Sequence, residues 1–449
     1  MKIQKGMVKT TVKNQTSAEK IERLDNFILS GLFIFAIFSC IARIGALAAL
    51  VITTILIVIR HRQSPYRQSI PGGVIGMYII FICSLIPSLA FSQNLQKDVR
   101  PFLNIVFDIL PLLLVWFGIR GQKQIIPLIA ALAFSLALSS LAIIYYGLAN
   151  GLNPNLRFIS FGYFCMITAG FLGVLLPLLG VFILEQRELN RWLKAGLIAA
   201  TFIGIGALAI NMNRGVWISM IAVTFVYMMV KLRQISRWAI AALFLLAIIG
   251  LGVTMIPQFR VRAESIRNDS VALARSYQLI FHDDPTAEFK EMIKNAEKDI
   301  PERIYMWNGA WCIFREHPLS GVGLGSVEDV FKSGRGYISP LAAFPPSFKH
   351  AHNNFLQFLA ATGIPGFLGF TGLFACVLWT SIRRYSRNSK DWWSLIGILV
   401  TISFLLQGLT EYNYVHAVLA RLYWFVLGIS MVASQLNSDN AGKREAHFE

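Results

Sequence analysis

Apolar runs of about 18 residues or more recur along this chain, and that is the length one helix needs to cross the hydrocarbon core of a bilayer. We place roughly twelve such spans, at 27–42, 44–59, 73–91, 102–119, 125–147, 163–184, 195–211, 215–230, 238–256, 360–380, 393–409 and 414–435. Composition agrees. Of 449 residues 55% are hydrophobic and only 14% charged, against roughly 25% charged in an average soluble domain. The pattern predicts an all-α polytopic membrane protein. It excludes a cytosolic enzyme, a disordered chain and a disulfide-stapled secreted domain.

The chain has 41 Lys+Arg against 24 Asp+Glu, a formal charge of +17. Such an excess could suit nucleic acid, but its distribution says otherwise. The tails and alternate loops hold 23 basic residues, among them Arg60, Arg62, Arg120, Lys123, Arg187, Arg191, Lys231, Arg383 and Arg387. The intervening short loops hold only Arg43, Lys97, Arg100, Arg157 and Arg214. Basic loops stay in the cytoplasm, so both termini are expected there and no nucleic-acid partner is expected. Residues 27–59 read as two short spans turning near Arg43, because one helix of that whole stretch would reach about 50 Å across a core of about 30 Å.

The organisation that follows is a tail over 1–26, nine spans over 27–256, an outer loop over 257–352, three spans over 353–435 and a second tail over 436–449. Residues 257–350 carry 12 basic and 12 acidic side chains, so this long connection lacks the cytoplasmic bias. It reads as helices leaning on the bundle. Asp284-Pro285 marks one helix start, with Asp as cap and Pro in the first turn. Pro301 opens another, whose Ile304, Trp307, Trp311 and Phe314 form an apolar stripe that either core or membrane contact would explain. Of five cysteines only Cys312 lies in the loop, so no disulfide framework is expected.

His350-Ala-His352-Asn353-Asn354 ends the loop and begins the tenth span. A histidine beside a helix N-terminus stays neutral near pH 7 and can accept a proton; a polar helix cap is the other reading. Two histidines two residues apart, without a nearby Cys or Glu, are too few for zinc. Arg214 lies in Asn211-Met-Asn-Arg214-Gly-Val-Trp217, Arg157 in Asn153-Pro-Asn-Leu-Arg157, and Arg303 in the loop helix, all on the same face as the histidines. Guanidinium groups bind phosphate bidentately at any physiological pH, though boundary arginines also snorkel to head groups.

Other features are weaker. Gly321-Val-Gly323-Leu-Gly325 follows a helix rather than a strand, so it reads as a flexible turn and not a nucleotide loop. Asp283-Asp284 could bind a metal, but capping accounts for Asp284. Asp108 sits inside the fourth span, where a carboxylate is either functional or paired with a polar neighbour. Glu411, His416 and Arg421 gather around the last outer turn, to contact substrate or one another.

The order of Asn-Arg-Gly (213–215), Arg303 with Trp307, then His317-Pro318-Leu-x-Gly321-x-Gly323-x-Gly325, then His352-Asn353 resembles the O-antigen ligase and polymerase superfamily. Gly363 and Gly366, at the family's spacing after His352-Asn353, resemble the ligase motif. The motifs span about 200 to 370; elsewhere the likeness is one of topology. The resemblance implies a bacterial inner-membrane enzyme of about twelve helices, with a long helical periplasmic loop and a periplasmic active site. It implies transfer of a polysaccharide from undecaprenyl diphosphate to a sugar of the lipid A core, with inversion and without metal or other cofactor. His352 becomes the catalytic residue with His350 beside it, and Arg214, Arg303 and Arg157 the diphosphate ligands. Residue chemistry agrees. Cations that neutralise a leaving diphosphate make it a good leaving group, and a sugar hydroxyl, too weak an acid to ionise, needs a neutral base as the bond forms. A polymerase acting on the same carrier and a protein O-oligosaccharyltransferase share this chemistry. A lipid-linked glycan transporter, drawing on Asp108, does not.

Overall fold

The computed structural model describes residues 2–63, 71–92, 94–151, 160–211, 213–231, 302–333 and 349–445, with isolated positions between 264 and 281. Among them the chain is helical, with one isolated bridge between Ser160 and Tyr163 and no strand. The first half comprises α1 (Lys2–Phe38), α2 (Arg43–Gln63), α3 (Gly72–Ser84), α4 (Ile86–Ala90), α5 (Leu95–Asp108), α6 (Leu110–Gly118), α7 (Ile125–Ala149), α8 (Cys165–Glu185), α9 (Arg191–Asn211) and α10 (Arg214–Lys231). Then come α11 (Glu302–Glu316), α12 (Val327–Ser333), α13 (Asn354–Arg387), α14 (Trp392–Gln407) and α15 (Ala417–Glu445).

Eight segments among the described residues are long and apolar enough to cross a membrane: Arg43–Gln63, Gly72–Ala90, Leu95–Gly118, Gln122–Ala149, Cys165–Glu185, Arg191–Asn211, Asn354–Arg387 and Ala417–Asp439. Two shorter apolar helices, Gly215–Lys231 and Trp392–Gln407, accompany them. The protein is a multi-pass membrane protein. The apolar end of α1 stops at Phe38, a short turn follows, and α2 packs back along it, as the length argument for 27–59 requires. The expected ninth span at 238–256 and the helix starts at Asp284-Pro285 and Pro301 lie outside the described residues.

Two spans are broken where proline dictates. Pro87 and Pro111 each sit in the first turn of the second half of a span, α4 and α6, where the missing N–H does no harm. α8 and α15 form the centre of the bundle and are its most buried spans, while α2, α3 and α9 turn much of their surface outward. Around the start of α15 an aromatic cluster joins four helices. Tyr414 meets the rings of Phe81, Phe358, Phe370, Phe374 and Phe404, and Phe404 stacks on Tyr423. Each such pair adds about 0.5–1.5 kcal/mol beyond its buried area, so this end of the bundle has a rigid floor.

The up-and-down connectivity puts the turns at 39–42 and 408–416, the ends of α4 and α7 and the start of α8, together with the starts of α10 and α13, at one end. The opposite end carries the basic clusters. There Asp25 meets Arg60 at 3.0 Å and Arg120 at 3.9 Å, and Glu185 meets Lys231 at 3.0 Å.

Candidate active site

His352 and its neighbours are fixed by a seam between the start of α13 and the 408–416 turn. Asn353 caps α13, its side-chain oxygen accepting from Phe355 N at 2.9 Å and Leu356 N at 3.1 Å, while its amide donates to the Leu409 carbonyl at 3.1 Å. Asn354 N donates to the Gly408 carbonyl at 2.7 Å, and the Asn354 side chain bonds both Asn413 and Tyr414 N. Ala351 N is held by the buried Gln357 side chain at 2.8 Å. The Asn-Asn pair therefore caps a helix, as one reading of the sequence had it, and also brings two distant segments together.

Glu411 sits at that junction. Its Oε2 lies 2.9 Å from His352 Nδ1 and its Oε1 accepts from Arg303 Nη2 at 3.2 Å. His352 Nδ1 thus faces the carboxylate, and Nε2, on the far side of the ring, is not engaged by Glu411. His350 is arranged differently. Its Nδ1 accepts the backbone N–H of His352 at 3.2 Å, and its ring lies 4.0 Å from the His352 ring and 5.7 Å from that of Tyr412. The backbone of His352 has φ +47°, a left-handed conformation uncommon for a residue with a side chain and characteristic of functional sites.

The surroundings keep the neighbouring imidazoles uncharged. Burial, with the charges of His352, His416 and Lys349, pushes His350 down to about 3. His416 is pushed down to about 4, chiefly by burial, with Glu411 opposing and His352 and Arg43 adding to the effect. Burial also holds the Tyr412 and Tyr414 phenols above their ordinary value.

Arg303 arrives on the first turn of α11, which packs along α13. Of the expected stripe on α11, Ile304 is fully buried and Trp307, Trp311 and Phe314 are half-buried, with Trp307 packed against the core and Trp311 against Phe314 and Phe281. The glycine run that follows is not the flexible turn the sequence suggested. α13 breaks at Gly363 (φ +64°, ψ −164°), and Pro365 offers no N–H, so Ala360 O, Ala361 O and Ile364 N lose their helical partners. The run supplies two of the three partners and Pro318, just before it, the third. Val322 N and Gly323 N donate to Ala360 O and Ala361 O at 3.2 and 2.9 Å, and Ile364 N donates to Pro318 O at 2.8 Å. Gly321 (φ +63°) lies so close to the Ala361–Thr362 peptide that a Cβ there would collide with it.

The other expected ligands are placed in part. Asn213 caps α10 through Val216 N at 3.3 Å, and Gly215 abuts Thr410, so the backbone of Arg214 starts α10 beside the turn that bears Glu411. The Arg214 side chain, and Arg157 altogether, lie outside the described residues. Arg421 does not join Glu411 and His416. Its Nε donates to Asp108 at 3.1 Å, so the intramembrane carboxylate has a polar partner. The sequence had grouped Glu411 only with its neighbours along the chain, and no spacing rule links it to His352, 59 positions earlier.

The assembled group can take a proton at His352 Nε2, with a carboxylate behind the ring and a guanidinium beside it. No curated protein matches the chain. Residues 199–371, which run from α9 through Arg214, Arg303, the glycine run and His352 to the break in α13, match the family model described as O-Antigen ligase, a family of glycan ligases and polymerases, and this match supports a place in the O-antigen ligase superfamily.

Proposed function

We propose that the protein is an O-antigen ligase of the bacterial inner membrane, which moves a polysaccharide from undecaprenyl diphosphate to a sugar hydroxyl of the lipid A core at the periplasmic face. The observation that carries this reading is the Glu411 carboxylate shared by His352 and Arg303. In the transfer, the acceptor oxygen bonds to the anomeric carbon as the bond from that carbon to the diphosphate oxygen breaks. The hydroxyl proton passes to His352 Nε2, and the electron pair of the broken bond leaves with the diphosphate. Glu411 orients the ring and stabilises the imidazolium that forms, as the acid does in a hydrolase triad. Arg303, with Arg214 and Arg157, neutralises the departing diphosphate in the part a divalent cation would otherwise take. A single displacement inverts the anomeric centre. His350, whose Nδ1 already accepts a backbone N–H, is the neutral neighbour that steadies His352 rather than a second base.

Topology fits the same reading. With 23 basic residues in the tails and loops of the opposite end, both termini and that end are cytoplasmic and the histidine end periplasmic. Both substrates are amphiphiles, which suits a catalyst at a membrane surface. The single long outer connection, 257–352, favours a ligase over a polymerase, since polymerases of the superfamily tend to have two.

The test is transfer from lipid-linked glycan to lipid A core in membranes. His352→Ala should lower turnover by about 10²–10⁴-fold at unchanged protein level, and full activity in that variant would refute the reading. Offering the donor alone, or with a protein acceptor, separates the polymerase and the protein transferase from the ligase.

A further inference from the structure

The glycine run has a second side. Where one edge fills the break in α13, the other lies on the first turn of α5, a helix no part of the chemistry above involves. Asp98, fully buried, accepts from Gly325 N at 2.6 Å, from Ser326 Oγ at 3.1 Å and from Ser92 Oγ. Gly323 (φ +107°) crosses so near that a Cβ would run into the Asp98 carboxylate, and one on Gly325 would run into the Lys97 carbonyl. Lys97 Nζ adds an ion pair to Asp329 of α12 at 2.6 Å. Residues 317–326 are thus a strap clamped between α5 and α13, anchored by a carboxylate whose described partners are all hydroxyl and amide donors.

The strap begins where α11 ends, and Arg303 stands at the far end of α11. A helix of 15 residues is about 22 Å long, so a tilt of about 5° at the strap would move Arg303 by about 2 Å. Misplacement of about 1 Å can cost about 10²-fold in rate. Resting on the ligase reading, we propose that Asp98 is a positioning residue: by clamping the strap it sets the distance of Arg303 from the Glu411–His352 pair and hence from the leaving diphosphate.

The experiment is a double-mutant cycle on transfer kinetics with the full-length protein, lipid-linked glycan and lipid A core. Asp98→Ala should lower kcat by about tenfold or more with little change in the donor KM, because Arg303 acts on charge that develops during the step. Asp98→Asn should retain activity to within about threefold, since the amide keeps an acceptor for Gly325 N and can still bond both serine hydroxyls. In an Arg303→Ala background, Asp98→Ala should have no further effect. Losses that multiply in the double variant, or an Asp98→Asn protein as impaired as Asp98→Ala, would overturn the clamp. Should Asp98→Ala not be recovered from membranes, Ser326→Ala decides by the same criteria, with a smaller loss of about two- to threefold that vanishes in the Arg303→Ala background. A fully active Arg303→Ala protein would instead remove the role of Arg303 on which this inference rests.

Discussion

Two carboxylate–guanidinium pairs meet near the start of α15, and they differ in what they leave open. Asp108 and Arg421 are sealed, with side chains 1% and 14% exposed, and the carboxylate has one guanidinium partner. Glu411 and Arg303 are 12% and 35% exposed, and the same carboxylate also holds a histidine that is 23% exposed. A sealed pair recovers its desolvation cost only through its own geometry, and removing one partner strands a buried charge. The second pair is buried at its carboxylate like the first, but its guanidinium and imidazole are partly exposed and can meet what approaches them. The first fixes α5 against α15; the second faces outward with an imidazole attached.

That contrast can be broken from either side. The largest effect on turnover after loss of the base itself is expected from Glu411→Gln, which keeps the shape but no longer stabilises an imidazolium. Transfer per molecule should fall by about 10²–10⁴-fold, and a Gln variant of ordinary activity would remove Glu411 from the mechanism. Asp108→Asn should do the reverse. It should cost up to about 3–5 kcal/mol of stability, read as earlier unfolding in detergent, while the protein that remains folded turns over within about twofold of the parent. A selective loss of turnover there would erase the distinction between the pairs.

A smaller effect concerns pH. His350 and His416 are pushed down to about 3 and about 4 in the folded state, whereas an unfolded imidazole titrates near 6.5. Their contribution to stability is therefore complete above pH 6.5 and is lost progressively as pH falls toward 4, because the unfolded chain takes up protons that the folded chain refuses. The melting temperature should decline over that window, and His350→Gln should flatten the decline. Parallel curves for the two proteins would show that His350 is not held neutral. The smallest expected effect is none: dialysis against EDTA should change transfer by less than about twofold if guanidiniums suffice for the diphosphate. A loss restored by Mg²⁺ or Mn²⁺ would count against that division of labour.

Much of this architecture was legible in the chain. Hydropathy located the helices, and the helix-length argument separated α1 from α2 near Arg43. Arg303 and the His-Asn pair were both singled out in the sequence, and Arg303 and His352 each reach Glu411. What escaped was partnership across the sequence. Glu411 belongs to a turn without a distinctive spacing, and its tie to His352 exists only once Asn353 and Asn354 have joined α13 to that turn. Asp98 has no motif around it to mark it, and its partners Gly325 and Ser326 lie 227 and 228 positions on. The stripe on α11 left core and membrane contact open, and the structure buries Ile304 fully while its aromatic members are half-buried. The glycines were read as looseness when they permit contact. In each case the residue was visible and its packing partner was not.

The left-handed twist at His352 bears on how a dead enzyme should be made. Alanine inherits the awkward backbone without the ring's anchorage to Glu411, so part of any defect could come from a relaxed peptide rather than a missing base. Asparagine tolerates that conformation more readily than most residues and cannot take up a proton at neutral pH, which makes His352→Asn the cleaner chemical knockout and a natural vehicle for trapping the protein with both lipids aboard.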